Sequence, residues 1–244
     1  MKKTISILLV VLSLILTLAA CGTADKQTQS SKIPTNSDPI PDTVGGYTLD
    51  GIVSGKIPET QMRIFNEATE NTDYNLFPLA CIGSRVIAGS VNAYICVNDH
   101  DTANAKLVVA FITKMSGQNA VVTSTVDFKI SDFNENASEP VEQGVYGAWT
   151  AITNGGIDAM PQELATAFNQ AFEDLDGMSY VPLACVGTQS VAGTNYALIC
   201  NGEATAPNAK ANVYLIEINA PLQGKASLIS SCRIDLSALE NAEN

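Results

Sequence analysis

PLACIGSRVIAGSVNAYIC, residues Pro78 to Cys96, lies over PLACVGTQSVAGTNYALIC, residues Pro182 to Cys200, without a gap. Self-similarity at a fixed offset marks one supersecondary unit written twice, and it decides the architecture before any single residue does. The likeness extends outward on both sides. Pro58 lies over Pro161, and Phe65-Asn66-Glu67-Ala68 over Phe168-Asn169-Gln170-Ala171. Downstream, Asn104-Ala105-Lys106 lies over Asn208-Ala209-Lys210, and Val126-Asp127-Phe128 over Ile234-Asp235-Leu236. The repeats are therefore placed at 44–131 and 145–237. The polar stretch at 132–144 is read as their linker, and 238–244 as a tail.

Within each repeat the periodicity changes once, from helical to alternating. After Pro161, which suits a first helical position, Leu164, Phe168, Ala171 and Leu175 recur at spacings of four, three and four until Gly177. That spacing predicts an amphipathic helix of about four turns. Met62, Phe65 and Ala68 form its weaker counterpart. Beyond Pro182 the pattern is β-branched and apolar, bounded by Gly, Asn and Pro, and it predicts strands at Leu183–Val191, Thr194–Cys200, Ala211–Ile218 and Ser227–Leu236. A short strand near Tyr47 or Trp149 precedes each helix. The expected class is α+β, with one helix packed on a four- to five-stranded antiparallel sheet in each repeat.

The amino-terminal end has a different character. Lys2 and Lys3 precede the apolar run Ile5 to Leu18, which ends in Leu18-Ala19-Ala20-Cys21. A charged start, a short apolar core and small residues before a cysteine form a secretory signal with a lipobox of the bacterial lipoprotein type. A membrane-spanning helix needs about 20 apolar residues. Residues 1–20 are thus expected to be removed, Cys21 to be lipidated, and 21–43, rich in Ser, Thr, Pro and Asp, to serve as a flexible tether. Two acyl chains give lasting attachment where one does not, so the expected location is the outer face of a cell membrane.

The chain carries 13 basic and 25 acidic residues, a net charge of −12. Loss of Lys2 and Lys3 with the signal leaves 11 basic against 25 acidic, or −14. Such a field repels polyanions, and no basic stripe interleaved with aromatics is present, so nucleic acid is excluded as an expected partner. The second repeat is the more acidic, with 3 basic and 8 acidic residues against 6 and 8 in the first.

Of the six cysteines, one is assigned to lipid. Cys81 and Cys96 flank the Ala88-Gly89 step at equal distances, as Cys185 and Cys200 flank Ala192-Gly193. If each step is a two-residue turn, each pair faces across a hairpin, and an oxidising exterior allows a disulfide worth about 3 kcal/mol. The alternative is four small buried apolar side chains. A β-bulge near the turn would shift the register and put each pair on opposite faces. Cys232 has no counterpart in the first repeat and reads as a buried thiol rather than a nucleophile.

No catalytic apparatus is legible, and the chain is read as a non-enzyme without cofactor, metal or small-molecule substrate. The single histidine, His100, sits in the polar turn Asn98-Asp99-His100-Asp101, where it reads as a solvated residue. Ala204 stands in the matching place of the second repeat, and no Cys-His or Ser-His-Asp set can be assembled within one repeat. Glu173, Asp174 and Asp176 form an acidic run of the kind that faces solvent.

Gln189-Ser190-Val191-Ala192-Gly193, followed by Thr194-Asn195-Tyr196, resembles the Gln-x-Val-x-Gly-Thr-Asn-Tyr hairpin of cystatins, protein inhibitors of papain-like cysteine peptidases. The order of short strand, long helix and four strands is similar too. The resemblance implies a three-part wedge made of an amino-terminal arm ending at a glycine, the first hairpin and a second hairpin. In the second repeat these would be Gly147, then Gln189, Ser190, Val191, Ala192 and Gly193, then Pro221-Leu222. In the first repeat they would be Gly45 or Gly46, then Arg85, Val86, Ile87, Ala88 and Gly89, then Met115-Ser116-Gly117. Three departures stand out. No tryptophan occupies the second hairpin, Arg85 replaces the motif glutamine, and Gly147 is held in a linker. The implied function is a surface-anchored inhibitor of papain-like peptidases. The competing readings are a non-inhibitory tandem binding or adhesion module, in which duplication supplies avidity, and an enzyme using Cys232.

Overall fold

The computed structural model describes residues 46–49, 51–52, 55–70, 72–133, 149–152 and 160–242. The signal, Cys21, the tether, Gly45 and Gly147 all lie outside them. The first repeat comprises α1 (Glu59–Thr69), β1 (Leu76–Ile87), β2 (Gly89–Asn98), β3 (Lys106–Met115), β4 (Val121–Asp127) and a 3-10 turn at Ile130–Phe133. The second comprises β5 (Trp149–Ala151), α2 (Gln162–Phe172), β6 (Met178–Val191), β7 (Gly193–Ala204), β8 (Asn212–Pro221), β9 (Ser227–Arg233) and α3 (Leu236–Asn241). The class is α+β, with antiparallel sheets of four strands in the order β1-β2-β3-β4 and of five in the order β5-β6-β7-β8-β9. Among the described residues the short strand of the first repeat is one bridge, in which Thr48 and Ser84 exchange N–H to O bonds of 2.7 and 2.8 Å.

α2 buries Leu164, Ala167 and Phe168 and starts one residue later than the proline rule suggests, with Pro161 as its N-cap. It ends at Phe172, so the fourth turn expected through Leu175 is absent. Glu173, Asp174 and Asp176 follow that end, and Lys225 lies 2.9 Å from both Glu173 and Asp174. Carboxylates are unfavourable at the negative end of a helix dipole, so the run does not favour a further turn.

The middle stretches of β1, β2, β3, β6, β7 and β8 are buried on both faces, and the two faces of each sheet have different partners. In the second sheet Cys185, Leu198, Cys200, Ile216 and Ile218 pack on α2. The opposite face, with Ala184, Val186, Ala197, Ile199, Val213 and Leu215, joins the same core as Ala80, Ile82, Ala93, Ile95, Val109 and Phe111 of the first sheet. Phe65 of α1 meets the other face of that first sheet, its ring edge-on to Tyr94 at 5.2 Å. The layers therefore run helix, sheet, sheet, helix, and the repeats share one continuous core.

The junction is reciprocal. A Cβ built on Gly83 of β1 would fall 2.6 Å from Leu236 Cδ1 and 3.4 Å from Tyr47 Cδ1. One built on Gly187 of β6 would collide with Ile130 Cδ1 and lie 3.4 Å from the Trp149 ring. Leu236 follows the last strand of the second repeat, and Ile130 follows the last strand of the first. Each repeat thus docks its carboxyl-terminal end into a glycine notch on the other's sheet. Both notches lie four residues before the end of a strand that leads into the β1–β2 or β6–β7 turn, whereas Phe128 and Ile234 bond at the far ends of their sheets, to Leu107 and Val213. The far end of one repeat consequently meets the turn end of the other, and the two sheets run in opposite senses.

This packing corrects two boundaries. Phe133, assigned above to the linker, is buried and stacks on Phe128 at 5.0 Å. Leu239, assigned to the tail, is buried in α3. The predicted strand over Ser227–Leu236 stops at Arg233, because Asp235 turns its carboxylate to accept bonds of 3.0 Å from the N–H groups of Ser237 and Ala238, an N-cap that starts a helix.

The cysteine register also differs from simple facing pairs. Bulges at Pro78/Ala80 and Cys81/Gly83 set Cys81 opposite Tyr94 and Cys96 opposite Pro78; the same bulges set Cys185 opposite Leu198 and Cys200 opposite Pro182. Ile87 pairs directly with Gly89, one residue off a two-residue turn, and the Cys81/Gly83 bulge adds a second one-residue shift; the second repeat does the same at Val191–Gly193 and Cys185/Gly187, so each cysteine pair lies diagonally on the helix-facing side. All four are present as buried thiols.

Candidate binding edge

The β6–β7 turn and the β8–β9 turn lie side by side at one end of the second sheet. Register fixes this: Gly193, first residue of β7, is paired with Pro221, last residue of β8. β5 joins the same end, with Trp149 opposite Gln189. Gln189 to Gly193 and Pro221-Leu222 are thus brought together, and Gly147 lies outside the described residues.

Gly193 is required at its position. Its φ is +130°, and an added Cβ would run into the Ala220 carbonyl oxygen of the neighbouring strand. Glycine alone lets the two turns approach this closely. Behind the tip, three amides bond across three strands. Asn195 Nδ2 donates to Gln189 Oε1 at 2.7 Å, and Asn219 Nδ2 donates to Asn195 Oδ1 at 2.7 Å. The motif glutamine therefore braces the hairpin. At the rim Val191 is 42 % and Leu222 83 % exposed. Ser190 and Ala192 are exposed between them. A cavity of about 280 Å³ opens between α2 and the second turn, lined by Glu163, Thr166, Gln170, Ala220, Pro221 and others.

The first repeat has the same backbone at its own end. Gly89, at φ +150°, is paired with Met115, and an added Cβ would meet the Lys114 carbonyl oxygen. Val86 is 80 % exposed. Ile87 and Ala88 are exposed and Gly46 is half-buried. Arg85 differs from Gln189 in what it holds. Its Nη2 is 2.7 Å from Glu240 Oε1 on α3, and its guanidinium carbon lies 5.4 Å from the centroid of the Tyr47 ring. The Tyr47 hydroxyl donates to Glu240 Oε2 at 3.0 Å, and burial raises its pKa above the ordinary tyrosine value.

His100 is more enclosed than a solvated turn residue. Its ring stacks on Phe77 at 4.5 Å and its Nδ1 is 3.0 Å from Asp101 Oδ2. No group of three His, Cys, Asp or Glu residues able to hold a metal occurs among the described residues. Burial pushes the Cys81 thiol up to about 12 and the Cys185 thiol up to about 11, and raises Cys96 and Cys200 as well. A thiol that resists ionisation is a poor nucleophile. Cys232 is half-buried on β9, opposite Leu215 and packed on the shared core.

Sequence reasoning missed Asn219 and Glu240. Asn219 had a faint signal, since it precedes Pro221 by two residues and so shares a strand face with it. Glu240 had none, because its role depends on the other repeat. No family model matches the chain, and no curated protein matches it.

Proposed function

We propose that this protein is a lipid-anchored, two-repeat cystatin-like protein of a cell surface that inhibits papain-like cysteine peptidases with the turn edge of its second repeat. The observation that carries the reading is the pairing of Gly193 with Pro221, which sets the two turns next to each other as one narrow rim. Val191 and Leu222 project from that rim. Full transfer of such a side chain from water into an apolar cleft contributes about 1.5–3 kcal/mol, most of it open to Leu222 and less to Val191, which is already more than half buried. The amide ladder behind them holds the turn in shape before binding, so little ordering entropy is lost on association. A rim of this kind obstructs a peptidase cleft without offering a bond for cleavage.

Titration of papain with the full chain tests the proposal. The expected result is a stoichiometric loss of activity, relieved at least 100-fold by Val191→Asp, because that change buries a charge in an apolar groove. Absence of inhibition at micromolar concentration overturns it. Binding without inhibition would mark the edge as a docking module instead.

A further inference from the structure

Each repeat serves as a control for the other, and the two differ in kind at the end of the first sheet farthest from its tip. A cavity of about 750 Å³ opens there between α1 and the start of β1, lined by Lys56, Glu59, Met62, Arg63, Phe77 and Leu79 among others. That volume falls in the range of small-molecule sites. With Pro58 laid over Pro161 and Pro78 over Pro182, Lys56 stands over Ala159, Arg63 over Thr166, Phe77 over Val181 and His100 over Ala204. The first repeat therefore has two cations and an aromatic pair where the second has small neutral residues. Phe77 lines the cavity, 40 % exposed, while its ring lies against that of His100, with centroids 4.5 Å apart and planes 15° off parallel. Asn75 Nδ2 donates to the His100 carbonyl oxygen at 3.0 Å and ties the supporting turn to the start of the strand.

We infer that this cavity binds a small monocarboxylate with a flat apolar body, its carboxylate held by Lys56 and Arg63 and its body laid against Phe77 and Met62. The charge of the lining selects the ligand's charge. Lys56 and Arg63 against Glu59 leave one positive charge in excess, which a single carboxylate neutralises and a dianion such as phosphate oversteps. Both cations are open to an anion: neither forms an ion pair with another described residue. Glu67, four residues along α1 from Arg63, is taken instead by Lys114, whose Nζ lies 2.7 and 2.8 Å from its two oxygens. A guanidinium receives both oxygens of a carboxylate through parallel bonds. The chain's net charge of −12 repels anions elsewhere on its surface, so a bound anion depends on such a pair. The body of the ligand is fixed by the other wall. Phe77, Met62 and Leu79 present apolar surface, and a ring already stacked on one neighbour is a platform for another. The occupant is a ligand rather than a substrate, and its site lies on a different repeat from the rim proposed to inhibit peptidases, so either reading can fail without the other.

Equilibrium dialysis of the full chain against radiolabelled 3-phenylpropionate tests the inference. The expected result is one saturable site per chain. Unlabelled 3-phenylpropanamide, which lacks the charge, and acetate, which lacks the body, should each compete about tenfold less well or worse. Arg63→Gln, a change on an exposed helix position that leaves the fold intact by circular dichroism, should weaken binding about tenfold. Thr166→Gln, at the corresponding place in the second repeat, should leave it unchanged. Phe77→Leu should weaken 3-phenylpropionate and not acetate. No saturable binding at millimolar concentration overturns the inference, as does equal competition by the amide or full binding by the Lys56→Gln, Arg63→Gln double variant. A peptide ending in a free phenylalanine carboxylate that binds where 3-phenylpropionate does not overturns the small-molecule class.

Discussion

Gly193 shows how much of the candidate edge rests on a missing atom. Its φ of +130° lies where side chains are strained, and the Ala220 carbonyl oxygen occupies the space a Cβ would need. Gly193→Ala should cost about 1–3 kcal/mol and push the two turns apart. Urea denaturation would read the first effect and papain titration the second, with both expected to fall together. The buried thiols make a different prediction. Because Cys81, Cys96, Cys185 and Cys200 all have pKa values raised by burial, folding favours their protonated forms. Their contribution to stability is complete below the unfolded thiol's value of about 8.5, and it is lost as pH climbs through the folded values. Denaturation midpoints should therefore decline above about pH 8.5. A thiol-disulfide reagent should label these four only after denaturant is added; rapid labelling of the native chain would contradict the burial.

Among the elements, α3 does more than its six residues suggest. It fills the notch over Gly83 with Leu236, buries Leu239 and carries the Glu240 that holds Arg85 and Tyr47. Removing residues 236–244 should destabilise the first repeat's sheet by several kcal/mol, since a buried leucine alone is worth about 2–5. Hydrogen exchange at β1 and β2 would report it, and unchanged protection there would refute it. Elements such as this were the ones poorly legible in the sequence. The strands of each hairpin were legible because turn residues bound β-branched runs, and α2 because Leu164 and Phe168 recur at helical spacing. The extent of α2 was misjudged because a hydrophobic period does not register the cost of carboxylates at the negative end of a helix dipole. α3 was misjudged because SALEN looks like a polar end until Asp235 is seen to cap it. The first tip was half legible: Val86 and Gly89 stood out, but the fate of Arg85 depended on a residue 155 positions away.

At the scale of the whole molecule the repeats share one core, although the sequence suggests two beads on a string. Their duplication was plain in Pro78–Cys96 and Pro182–Cys200, but nothing local says that both faces of each sheet are covered. A continuous apolar run is the only hint, and it reads the same for a buried strand of any origin. Calorimetry should give one transition for residues 46–242, with calorimetric and van't Hoff enthalpies equal. Two resolved transitions would show separate cores. Expressed alone, the second repeat would expose Val186, Ile199 and Leu215 and should associate or precipitate. The exchange of plugs, Leu236 into the notch at Gly83 and Ile130 into that at Gly187, gives the protein the geometry of a two-fold homodimer tied into one polypeptide. Mutational tolerance at these four places is accordingly pairwise. Gly83→Ala, harmful by itself, becomes milder when Leu236 is shortened to alanine, whereas shortening Ile130 gives it no relief.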